Sequence, residues 1–136
     1  MSTVDRIAAI ANGGSPCRAT KPPFSFLTCV GDIGATATSL SKGLLSQTQL
    51  DELYHAGCVC DMLCNFLDAQ GRSVAHPLNE RVMSISPETI ARAAHVVIAT
   101  GGAARAEAIL AARQRVGCNT LLTDEPAARR LLELTD

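Results

Sequence analysis

Two places in the chain set a charged side chain where a ligand could meet free backbone groups. At the first, Thr100-Gly101-Gly102 follows an apolar, β-branched run (residues 95–100) and precedes a stretch of helical periodicity (residues 103–116). The free N–H groups and the dipole of such a helix start favour an anion. Gly101 and Gly102 let a ligand approach the main chain closely. Arg105 lies in the first helical turn, where a cation does nothing for the helix, so its charge makes sense as a ligand contact. The plain alternative is a tight strand-to-helix turn with Arg105 in water. At the second place, Asp61 sits between Cys58-Val59-Cys60 and Met62-Leu63-Cys64. A carboxylate in so apolar a setting is costly unless partnered; it either holds sugar-type hydroxyls or caps a local turn.

Other polar groups carry less. Cys58, Cys60 and Cys64, with His55 nearby, do not have the spacing of paired zinc knuckles, and no second cysteine pair follows. Small buried thiols account for them better, so neither a metal nor a cofactor is expected. No base stands at a definable spacing from a cysteine nucleophile. His76, in a loop with Pro77 and Asn79, is a candidate acid or base or simply an exposed histidine. Asp124-Glu125 either caps the last helix or supports a site from behind.

These residues must be positioned by strands and helices. Residues 3–11 can form a short helix, and residues 12–23, with two glycines and three prolines, read as linker. Residues 24–30 form an apolar strand running into Gly31-Asp32-Ile33-Gly34, and residues 35–43 are small and polar. A helix starts at Ser46, with Ser46 or Thr48 as its cap, and ends near Ala56, before Gly57. Residues 62–67 are expected to pair in a hairpin with residues 73–76, and residues 81–85 to form a further strand. Ser86-Pro87 opens a helix over residues 87–94. Strand 95–100, helix 103–116 ended by Gly117, strand 119–123 and helix 125–134 complete the chain. Strands joined by helical crossovers lie parallel, so the fold class is α/β with a partly parallel sheet. In such sheets ligands bind beyond the carboxyl ends of the strands, here at 31–34, 100–102 and 123–125, which adds Asp32 to the candidates.

Composition narrows the function. With 47% apolar residues, one Tyr, three Phe and no Trp, the core must be aliphatic and rich in alanine. A formal net charge of −1 with scattered Arg and Lys excludes the basic stripe of a nucleic-acid-binding domain. No signal-peptide pattern or membrane-length apolar run is visible, so a cytoplasmic protein with reduced thiols is expected.

Several segments, taken in order, resemble one family. They are Gly31-Asp32-Ile33-Gly34, Gly43-Leu44-Leu45-Ser46, the stretch from Ala56 to Asp61 and Phe66-Leu67-Asp68-Ala69-Gln70-Gly71. Pro77-Leu78-Asn79-Glu80-Arg81-Val82, Ile85-Ser86, the stretch from Val97 to Gly102 with Ala108-Ile109, and Leu121-Leu122-Thr123-Asp124-Glu125 complete the set. From Phe24 to the end, the chain is similar to the C-terminal part of the effector-binding domain of SorC/DeoR-type bacterial transcriptional regulators. The resemblance implies a Rossmann-like, sugar-isomerase-like three-layer α/β sandwich. It would sense a phosphorylated sugar or polyol and control DNA binding by a separate helix-turn-helix domain. Carried over by position, Asp61 would hold sugar hydroxyls, Arg105 stands where the family often has Lys contacting the ligand's phosphate or oxygen end, and Lys42 falls near another basic position. Residues 1–23 do not share the resemblance, and neither the DNA-binding domain nor the family's glycine-rich phosphate loop is found. The expectation is a truncated domain over residues 24–136, with an exposed sheet edge that favours a homo-oligomer. The competing expectations are a sugar-phosphate isomerase, using Asp61 or His76 as acid or base, and an oligomeric remnant that binds nothing.

Overall fold

The structure, a computed structural model, describes residues 24–35, 37–81 and 83–136. The helix and linker expected over residues 3–23 lie outside the described residues. In chain order the elements are β1 (Ser25–Thr28), α1 (Thr38–Ser41), α2 (Gln47–His55), β2 (Cys58–Met62), β3 (Asn65–Asp68), α3 (Pro77–Glu80) and α4 (Pro87–Ala91). Then come β4 (His95–Ala99), a 3-10 turn (Ala103–Arg105), α5 (Ala106–Val116), β5 (Thr120–Leu122) and α6 (Glu125–Thr135).

The parallel sheet has the order β1-β4-β5. Ser25 pairs with His95 and Thr28 with Ile98 on one side of β4, and Val97 pairs with Thr120 and Ala99 with Leu122 on the other. The central strand is the continuously apolar one, and Val96, Val97 and Ile98 are fully buried, as a strand covered on both faces requires. The partly parallel α/β class expected from the sequence is the class observed.

Helix α5 joins the sheet to the rest. Its buried residues are Ala106, Ala108, Ile109, Ala111, Ala112 and Val116; alanine at four of the six lets neighbouring backbones come close. It packs against the β2-β3 hairpin as well as against β4, α4 and α6. One core therefore joins Phe26, Val96 and Ile98 of the sheet to Cys60, Met62 and Leu67 of the hairpin through α5. A second core, with Ile33, Leu50, Leu53 and Phe66, fills the space between α2 and the hairpin's other face. Gly117 closes α5 at φ 66°, the left-handed conformation usual for such a residue.

Caps follow local chemistry. The Ser46 side chain accepts from the Gln49 N–H while the Gln49 side chain accepts from the Ser46 N–H, a complete capping box. Ser86 caps α4, with Pro87 in its first turn. That helix stops at Ala91, short of the expected 94, because the Ala94 N–H is drawn to the Phe24 carbonyl at 2.9 Å as the chain enters β4. Residues 35–43, with no marked periodicity, contain the short helix α1.

Two expectations are corrected. The hairpin is β2 against β3, with Asp61 opposite Phe66 and Met62 opposite Asn65, not residues 62–67 against 73–76. Its reversal uses Leu63 at φ 53° and Cys64 at φ 63°, a turn without the Gly or Asn that normally announces one. Asp61 Oδ1 holds it by accepting the Cys64 N–H at 2.8 Å. The turn legible in the sequence, Asp68 to Arg72, is tied by Asp68 Oδ1 accepting the Gln70 and Arg72 N–H groups, and beyond it only a Leu67–Ser73 bridge forms. Nor is there a strand among the described residues of 81–85. The Asn79 side chain accepts from the Phe66 N–H and donates to the Phe66 and Val74 carbonyls, occupying the backbone groups a further strand would need.

Candidate functional site

The carboxyl end of β1 runs on through Val30 and Gly31, and Gly31 exchanges two backbone hydrogen bonds with Asp61 on β2, at 2.8 and 2.9 Å. This bridge brings the hairpin to the end of the sheet. The end of β4 is fastened to the same place by Thr100, whose hydroxyl donates to the Val30 carbonyl at 3.0 Å. Arg105 follows in the 3-10 turn, its Nε 3.6 Å from Asp32 Oδ1, and its Nη1 reaches Thr100 Oγ1 and the Gly101 carbonyl at 3.4 and 3.5 Å. Asp32 is buried and accepts the Gly34 N–H on its other oxygen. It holds the guanidinium in place.

Asp61 and Arg105 line one cleft of about 240 Å³. Val30 and Gly31 form its floor, Thr38 and Ser39 of α1 one wall, and Leu44 and Leu63 its apolar rim. Burial raises the Asp61 pKa above the ordinary carboxylate value, and the Cys64 N–H offsets this in part. The site thus holds an acceptor for hydroxyl groups and, across the cleft, a guanidinium two-thirds buried beside Asp32, which suits an oxyanion.

The two glycines have a partner inside the chain. Asp124, the cap of α6 through the Ala127 N–H, accepts the Gly102 N–H with both oxygens at 2.9 and 3.0 Å. A Cβ on Gly101 would stand 2.6 Å from Asp124 Oδ2, and Gly102 adopts φ 97°. The donor that the sequence offers to a ligand is therefore taken by a carboxylate from the next strand end, so Asp124 both caps its helix and ties it to the Gly101-Gly102 turn. The Gly102 and Ala127 amides hold the Asp124 pKa below the ordinary carboxylate range. Stability from this group is present above the unfolded-state pKa and lost as pH falls through the lower folded value. Asp124→Asn is expected to lower the melting temperature at pH 7 and to flatten its fall between about pH 5 and pH 2, as a thermal-melt series over pH would show.

The remaining candidates lie elsewhere. Lys42 is exposed at the end of α1 and does not line the cleft. His76 caps α3 and its Nε2 meets Glu52 Oε2 at 3.0 Å, away from the cleft. Cys58 and Cys60 are buried, burial pushing the Cys58 thiol up to about 12 and raising that of Cys60 too. Among the described residues no group of three or more His, Cys, Asp or Glu is placed to hold a metal ion. No helix among them is long and apolar enough to cross a membrane.

Sequence reasoning passed over Thr38 and Ser39 because residues 35–43 have no periodicity, and it used Leu44 only within the resemblance, not as a site residue. Following the strand-end rule a few residues past Gly34 would have reached them. Cys29 and Cys64, both exposed, also open on this cleft.

The family model described as "Putative sugar-binding domain" matches residues 25–133. The chain is 28% identical over 103 residues to the erythritol catabolism regulatory protein EryD of Brucella abortus, covering 76% of this chain and 32% of that one. It is 32% identical over 99 residues to the transcriptional regulator LsrR of Klebsiella pneumoniae, covering 72% and 31%. It thus spans about a third of the length of these relatives. Among solved structures, a DeoR family transcriptional regulator from Listeria monocytogenes superimposes with TM-score 0.73 at 20% identity, over 79% of this chain and 43% of the other. The full-length sorbitol operon regulator SorC from Klebsiella pneumoniae does so with TM-score 0.68 at 22% identity, over 79% and 35%. The match of nearly all the described residues to one family model means that the chain belongs to this sugar-binding-domain family, and the superpositions show that it has the fold of those solved structures.

Proposed function

We propose that this chain is the effector-binding part of a bacterial regulator of sugar catabolism, and that its effector is a phosphorylated sugar or polyol phosphate. The observation that carries this reading is the convergence of Asp61 and Arg105 on one cleft. A carboxylate accepts from vicinal hydroxyls and a guanidinium pairs with a phosphate through parallel hydrogen bonds. Asp32 orients Arg105, and Gly101 and Gly102 shape the turn that presents it. The domain binds rather than turns over its ligand, acts in the cytoplasm as a homo-oligomer, and leaves DNA contact to another domain, in keeping with a net charge of −1. Of the two residues an isomerase would use as acid or base, Asp61 lines this cleft and His76 does not.

Thermal denaturation with a panel of sugar and polyol phosphates tests the reading. A true effector at 100 times its Kd adds about 2.7 kcal/mol of stability. The same effector should slow alkylation of Cys29 and Cys64 by iodoacetamide, while Cys58 and Cys60 stay unreactive with or without it. No shift with any member of the panel, or a shift that leaves both exposed thiols as reactive as before, would sink this proposal.

A further inference from the structure

Beyond the cleft between Asp61 and Arg105 lies a second cleft of about 260 Å³, lined by Leu78 and Arg81 on its far side. The two share Ser39, Leu44, Asp61 and Cys64. Each alone is below the roughly 300 Å³ at which small-molecule sites usually begin, and joined across Asp61 they reach it. The result is a trough with a carboxylate at its middle and a guanidinium at each end.

One buried side chain in this trough is unexplained by the fold, and one exposed cation at its end has no partner among the described residues. Ser39 is only 7% exposed, yet its buried hydroxyl has no hydrogen-bond partner. Its carbonyl is held by the Leu44 and Leu45 N–H groups, so the residue is fixed where it stands. A buried hydroxyl left without a partner is unfavourable, and a ligand or its bound water at the shared wall would satisfy it. Arg81, unlike Arg105 with its Asp32, forms no ion pair or side-chain hydrogen bond among the described residues.

We propose that Ser39 and Arg81 extend the site, Ser39 meeting a hydroxyl beside Asp61 and Arg81 binding a second oxyanion at the end of the ligand remote from Arg105. The proposal rests on the effector-binding reading above and narrows its ligand to a hydroxylated chain carrying an oxyanion at both ends. Phosphate and carboxylate both satisfy a guanidinium in this way.

Titration calorimetry with glucose 6-phosphate, glucose 1,6-bisphosphate and 6-phosphogluconate separates the possibilities. The unaltered chain should bind one or both of the two-ended ligands about 10-fold or more tightly than the monophosphate; which of the two it prefers tells a phosphate from a carboxylate at Arg81. Arg81→Gln should bring the two-ended ligands down to the affinity of the monophosphate. Ser39→Ala should weaken all binding several-fold without lowering the melting temperature, because the hydroxyl it removes has no partner in the fold. Equal affinities in the unaltered chain, or an undiminished preference in Arg81→Gln, overturn this proposal and leave the effector reading standing. No binding of any sugar or polyol phosphate overturns both.

Discussion

Asp61→Asn should weaken effector binding about 10–100-fold, the range for losing hydrogen bonds to a charged group, and should make the domain more stable at neutral pH. The two effects have one source. Burial raises the Asp61 pKa, so the folded state resists the charged form. A raised folded value means that the group's contribution to stability is full below the unfolded-state pKa and is lost as pH rises through the folded one. At pH 7 the carboxylate is therefore a cost to folding. Asparagine removes that cost and keeps an oxygen for the Cys64 N–H, now 2.8 Å from Asp61 Oδ1. The gain is expected at pH 7 and should shrink toward zero below the carboxylate range. Urea denaturation at pH 7 and near pH 4, beside a ligand titration, measures both. Lower stability at pH 7 would make Asp61 a structural turn residue.

The second large effect lies away from the cleft. Gly71 sits at φ 76°, and a Cβ there would stand 2.7 Å from the Ala111 carbonyl oxygen and 3.1 Å from the Arg115 nitrogen. Both are backbone atoms of α5, which cannot swing aside as a side chain can. A left-handed non-glycine residue costs about 1–2 kcal/mol, and forcing extra volume into a packed interior about 1–3 kcal/mol. Gly71→Ala is thus expected to destabilise by about 2–5 kcal/mol, a large share of the 5–15 kcal/mol typical of a domain. The loss should appear in amide exchange first at the β2-β3 hairpin, which leans on α5 at this point. A change below about 0.5 kcal/mol, the range of an ordinary surface substitution, would show that the turn and the helix are not in firm contact.

What could be read from the sequence followed from where local signals were strong. The β4, Gly-Gly and α5 segment combines a β-branched run, two glycines and a terminal Gly117, and all three signals agree with the packing observed. Asp61, Asp32 and Arg105 were legible because a charge beside an apolar run or at a strand end has few structural uses. The hairpin was not legible, since Leu63 and Cys64 take positive φ with nothing in their residue types to say so. The competing turn from Asp68 to Arg72 has the expected chemistry but reverses a chain that pairs elsewhere. Residues 81–85 are rich in apolar side chains as a short strand is, but Asn79 decides their fate from outside the segment by occupying backbone groups of Phe66 and Val74. Ser39 and Arg81 belong to the trough only through tertiary structure: neither one's neighbours in sequence hint that Asp61 stands between them.

Helix α5 begins directly after Arg105 and is the surface against which the Asp61 strand rests, so it works as a gauge block between the two charges. Its thickness at that contact is the thickness of alanine. A bulkier residue at Ala108, Ala111 or Ala112 would act as a shim, moving hairpin from sheet and changing the span a bound molecule must bridge. On the effector-binding proposal, the length of ligand accepted would therefore depend on residues that never touch it, and substitutions at Ala108, Ala111 or Ala112 should shift effector preference as surely as substitutions in the cleft.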